Sequence, residues 1–117
     1  MGTIRLWLSV YRGGANDLWT RELVTDFAPR EGDIIHLSVD DDRDSDIDWK
    51  IYRHYWNNDG SYECQLQDMI VDPNPNLIPS HHHQLWHTDR DNDPEPVLRR
   101  GGWVTYEEWR ETQKSPA

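Results

Sequence analysis

Residues Thr3 to Arg12 alternate strictly: Ile4, Leu6, Leu8 and Val10 point one way, and Arg5, Trp7, Ser9 and Tyr11 the other. A period of two sustained over this length predicts a strand with one face on a core. Gly13-Gly14-Ala15-Asn16-Asp17 has the composition of a turn. In the next segment Trp19, Leu23 and Phe27 recur every fourth position, which suits a helix face and one strand face equally. Thr20, Val24 and Thr25 decide for a strand over 18–27, because β-branched side chains fit a pleated surface better than a helix.

Pro29-Arg30-Glu31-Gly32-Asp33 reads as a turn, with Pro29 presetting φ and Gly32 free to take φ > 0. A third strand is predicted from Asp33 to Asp40, with Ile35, Leu37 and Val39 inward. Trp49 to Trp56 and Ser61 to Val71 then form a hairpin around Asn57-Asn58-Asp59-Gly60. A four-residue loop pairs Ile51 with Leu66, Arg53 with Cys64 and Tyr55 with Tyr62, giving a mostly apolar inner face on which Arg53 is out of place. Beyond Asp72 the periodicity stops, and Pro73, Pro75, Pro79, Pro94 and Pro96 punctuate a polar stretch that reads as loop. At the end of the chain Thr105 and Glu108 match a capping box, and Val104 and Trp109 are spaced for a hydrophobic staple. They predict a helix from Tyr106 to Gln113 with Trp109 facing the body.

Five strands, short turns and one terminal helix make the chain mainly β, as a small bent antiparallel sheet or barrel. One domain over 1–117 is expected: a sheet body over 1–72, a loop-rich covering segment over 73–104 and the helix over 105–114. Phe27-Ala28-Pro29-Arg30-Glu31-Gly32-Asp33, followed by Ile34-Ile35-His36-Leu37, resembles the Pro-x-x-Gly-Asp turn that opens a strand in small SH3-like barrels, including many uncharacterised bacterial and phage proteins. The resemblance spans residues 1–72 at most. It implies an SH3-like architecture and carries over no catalytic residue.

Composition changes this picture in two ways. Only 35% of the 117 residues are hydrophobic and the net charge is −10, a balance that leans towards disorder; seven Trp and five Tyr argue for a folded chain whose core rests on large rings. The charge is also concentrated, with six Asp against Arg43 in residues 40–48 and a second acidic run from Asp89 to Glu95. Both runs read as solvated loops. Such a balance disfavours direct nucleic-acid binding, which depends on neutralising phosphates. No apolar run approaches the ~20 residues of a membrane-spanning helix, so no membrane partner is expected. No basic-then-apolar leader is visible, and Cys64 is the lone cysteine; both point to the cytoplasm. Ten arginines against two lysines suggest a GC-rich bacterial or phage genome.

Candidate chemistry is sparse. Asp40, Asp42, Asp44, Asp46 and Asp48 share one parity, as a Ca²⁺ loop would require, but no frame places Gly at the sixth position or Glu at the twelfth. His81, His83 and His87 are the only residues with a zinc-like grouping, and nothing in their Pro-flanked stretch fixes a ligand geometry. No metal or other cofactor is therefore expected. Cys64 falls inward beside Leu66, no Gly-x-Ser-x-Gly turn or phosphate loop occurs, and no catalytic residue can be assigned. What remains is the outward face, where Trp7 and Tyr11, His36, and Tyr52, His54 and Trp56 project from three strands. Trp86, Trp103 and Trp109 are available to cover most of it. Any part left open would suit a partner protein, with Trp7, Tyr52, His54 and Trp56 as the contact and Asp40, Asp42 and Asp44 as an acidic rim. The expected function is a noncatalytic protein-binding module. The alternatives are an acidic nucleic-acid mimic that inhibits a DNA- or RNA-binding protein, and a metal-dependent protein using the His-rich segment.

Overall fold

The computed structural model describes residues 2–12, 15–35, 49–71, 83–85 and 94–114. Its frame is a long hairpin: β1 (Gly2–Arg12) pairs along its full length with β2 (Ala15–Thr25), from Gly2 opposite Thr25 to Arg12 opposite Ala15. The alternation of β1 is expressed directly, with Ile4, Leu6, Leu8 and Val10 buried and Arg5, Trp7 and Ser9 half-buried on the other face. The segment expected as strand over 18–27 is strand as far as Thr25, and Ala15, Asn16 and Asp17, expected in the turn, pair with β1 as the start of β2.

The other edge of β1 is filled from far along the chain. β4 (Trp49–Trp56) and β5 (Tyr62–Leu66) form the predicted hairpin, and β5 lies parallel to β1, with Leu6 opposite Cys64. After Gln67 the strand resumes as β6 (Asp68–Val71), also parallel to β1, with Val10 opposite Met69. One residue is gained between the two ladders. Gln67 leaves the β1 pairing and donates its N–H to the Lys50 carbonyl at 3.0 Å. This bulge turns Met69 and Val71 to the core and Asp68 away from it. The sheet is therefore mixed. Its order is β3 (Ile34–Ile35), β4, β5, β1, β2, β8 (Val104–Thr105), with β7 (His83–Leu85) attached to β6. With β3 and β8 at opposite ends, it is an open bent sheet and not a closed barrel.

The core lies in the bend. Leu6, Leu8, Ile51, Leu66, Met69 and Leu98 are fully enclosed, and Trp49 stacks on Trp103 at 5.4 Å and 19°. Trp103 thus belongs to the core and does not cover the outer face.

Leu98 comes from α1 (Glu95–Arg100), in a stretch expected to be loop. Pro94 and Pro96 do not prevent it, because a helix's first turn has no intrahelical acceptor for its N–H groups. The helix ends in a Schellman motif: the Trp103 N–H reaches the Leu98 carbonyl, the Gly102 N–H reaches the Arg99 carbonyl, and Gly102 takes φ 88°. The final helix, α2 (Tyr106–Lys114), begins with the expected box, in which the Glu108 N–H donates to the Thr105 hydroxyl and the Thr105 N–H to the Glu108 carboxylate. Arg99 clamps the two helices, forked onto Glu108 at 2.8 and 3.1 Å and bonded to Glu95 at 3.0 Å. No helix among the described residues is long and apolar enough to cross a membrane.

Candidate functional site

The β4–β5 hairpin determines which aromatic side chains are available. Ile51 lies opposite Leu66 as expected, but Arg53 then faces Gln65, so β4 carries one extra residue, Tyr52. Because side chains alternate, one extra residue exchanges the faces of everything after it. Arg53 and Tyr55 turn outward and are exposed, while His54 falls opposite Cys64 and Trp56 opposite Tyr62. The misplaced arginine of the sequence reading is thereby explained: its guanidinium stands outside, over the Tyr52 ring at 4.9 Å. The expected grouping of Trp7, Tyr52, His54 and Trp56 on one outward face is corrected for the same reason. His54 and Trp56 share the face of the core strands, at the open end of the sheet.

Trp7 does stand on the outer face, half-buried beneath α2. Trp109 meets it edge-on at 5.3 Å, Tyr106 lies 6.0 Å away, and the Trp7 indole N–H donates to Glu63 at 2.9 Å. Arg5 completes this cover: it bonds Thr20 and Glu22 and places its guanidinium 4.9 Å from the Trp109 ring. Trp7 is thus engaged in holding α2. Asp40, Asp42, Asp44, His36, His81, Trp86 and His87 lie outside the described residues, as does the side chain of His83. Among the described residues, no three His, Cys, Asp or Glu side chains converge as metal ligands.

The open end presents a different surface. Trp56 is 68% exposed and meets Tyr62 edge-on at 4.5 Å, with His54 stacked on the same tyrosine at 5.9 Å. The turn beneath holds this end in shape: the Asn57 N–H donates to the Ser61 carbonyl, the Gly60 N–H to the Asn57 carbonyl, and Gly60 takes φ 88°. The Tyr62 hydroxyl donates to the Pro29 carbonyl, and the Cys64 thiol points to the same oxygen at 3.8 Å. Pro29 opens the turn foreseen in the sequence. The Asp33 N–H reaches the Arg30 carbonyl, the Asp33 carboxylate accepts the Arg30 N–H, Gly32 takes φ 91°, and Gly32 and Ile51 anchor the turn to β4.

Beyond Pro29 an open groove of ≈ 550 Å³ runs between the end of β2 and β3, lined by Leu23, Val24, Phe27, Pro29, Ile34 and Ile35, with Asp33 at its edge. Phe27 is 71% exposed there. Tyr62 and Pro29, both buried, lie between the exposed Trp56 ring and the groove. Burial pushes the Tyr62 hydroxyl up to about 12 and the Cys64 thiol up to about 11. Both groups are neutral near pH 7, which suits packing and not nucleophilic attack. The sequence reading missed this groove. Its trace in the sequence is Ile34-Ile35 placing apolar groups on both faces of one short strand.

Comparison with known proteins gives no match to any protein-family model, curated protein or solved structure.

Proposed function

We propose that this chain is a noncatalytic module that binds a partner protein through the open end of its sheet, with Trp56 as the anchor. The observation that supports this is Trp56 itself: a large ring held in place by Tyr62 and a hydrogen-bonded turn, yet mostly solvent-exposed. Interfaces concentrate their energy in a few such rings. The bent sheet and the Pro29-to-Asp33 turn support an SH3-like architecture as part of the same proposal, and the single buried Cys64 supports a cytoplasmic setting. The acidic segment with Asp40, Asp42 and Asp44 would speed association with a basic partner more than it slows release.

The test is capture of the partner from the native host, followed by affinity measurement with the purified pair. Trp56→Ala should leave the domain folded and weaken binding by about 2 kcal/mol, roughly thirtyfold in Kd. Unchanged affinity would refute the proposal. The net charge of −10 favours a second reading, an acidic mimic of nucleic acid. In that case binding should collapse with salt and be indifferent to Trp56.

A further inference from the structure

We infer that the groove between β2 and β3 receives an extended, basic segment of the partner as an added β-strand. This deepens the module reading and rests on it.

The backbone supplies the first argument. β1 pairs with all of β2 on one side, but β8 pairs only with Trp19 and Thr20 on the other. From Glu22 to Thr25 that second edge has no ladder partner among the described residues. β3 is in the same condition, with β4 on one side only. Two incomplete edges thus flank one groove, and unpaired strand edges are templates for another extended chain.

The groove walls supply the second. Leu23 and Ile35 lie deeper, while Val24, Phe27 and Ile34 are exposed at the rim, so alternate side chains of an added strand would meet apolar surface. Charge then selects the occupant. Residues 26–35 carry Asp26, Glu31 and Asp33 against Arg30, a balance of −2. A second copy would bring a further −10 to this place. An extended segment with apolar residues alternating with Lys or Arg satisfies the edges, the walls and the field together.

The probe is a set of blocked six-residue peptides in which Lys alternates with Val, Ile or Phe, titrated into the full chain with backbone amide NMR. Three controls accompany it: Glu-for-Lys peptides, peptides N-methylated at alternate residues, and the double variant Phe27→Ala/Ile34→Ser. Both variant positions are exposed, and an unchanged unfolding curve verifies the fold. Saturable binding is expected, with shifts and slowed amide exchange at Glu22 to Thr25 and Ile34-Ile35. Each control should weaken it about tenfold or more. No saturable binding of any Lys peptide at ~1 mM overturns the inference, as does equal binding by the Glu-for-Lys set, the N-methylated set or the double variant. The captured partner separates the two proposals. Dependence on Trp56 but not on Phe27 and Ile34 removes the added strand and keeps the module, whereas indifference to all three removes both.

Discussion

Replacing Trp109 tests whether α2 is held on the sheet by ring contacts. Its side chain is half-buried over Trp7, at 5.3 Å edge-on, and over the Arg5 guanidinium at 4.9 Å. A half-buried Trp removes about 100 Å² from water, or ~2.5 kcal/mol. The edge-on pair adds ~1 kcal/mol and the cation–π contact ~0.5 kcal/mol. Against this, the Trp109 indole N–H is buried without a hydrogen-bond partner among the described residues. That omission costs ~1 kcal/mol, and Ala is the better helix former by ~0.5 kcal/mol. The balance is a loss of ~2.5 kcal/mol for Trp109→Ala. Trp109→Phe keeps most of the ring contact and discards the unsatisfied donor, so it should cost under ~1 kcal/mol. Urea unfolding followed by far-UV circular dichroism would read this as a midpoint about 1.5 M lower for Ala at constant slope. Trp7 emission should also shift to the red as the ring meets water. A loss below ~0.5 kcal/mol for Ala, or equal losses for Ala and Phe, would refute the account of how α2 is docked.

Four further outcomes follow from the same structure. Gly102→Ala should destabilise by about 1–2 kcal/mol in thermal unfolding, because φ of 88° strains any Cβ, although no atom within 4 Å would clash with it. Arg53→Leu should change unfolding stability by less than ~0.5 kcal/mol, since the bulge at Tyr52 puts residue 53 outside; the unbulged register would predict a gain. Hydrogen bonds from Arg99 and Thr105 hold the Glu108 carboxyl down to about 2, below its ordinary 4.5. Their contribution is present above pH 4.5 and lost as pH falls through about 2, so Glu108→Gln should flatten the acid limb of Tm against pH. Burial raises Cys64 to about 11 and Tyr62 to about 12, so the stabilisation is full below their ordinary values of 9 and 10 and lost as pH climbs through 11 and 12. The thiol should accordingly resist iodoacetamide at pH 8 until urea is added.

Local chemistry was legible in the residues themselves. The alternation of β1, the Pro29-to-Gly32 and Asn57-to-Gly60 turns and the Thr105–Glu108 box all act within a few positions, and each appears where the sequence places it. Three decisions were taken elsewhere. The parallel docking of β5 and β6 on β1 joins residues nearly sixty positions apart, and a hydrophobic period is the same for either strand direction. The helix of residues 95–100 is marginal by itself; burying Leu98 against the sheet and clamping Arg99 to Glu108 stabilise it in a stretch that prolines mark as loop. The bulge at Tyr52 is the most consequential for the site. Tyr52, Arg53, His54, Tyr55 and Trp56 are ring-bearing or long at both parities, so their pattern scarcely distinguishes one register from the next. Contact with Tyr62 and Cys64, and with Pro29 behind them, decides which ring faces the core and which is left in water. The sequence alone determined that rings would crowd this hairpin; only tertiary packing, by counting one residue more on β4 than on β5, turned Arg53 and Tyr55 outward and put His54 and Trp56 on the face of the core strands, with Trp56 left exposed.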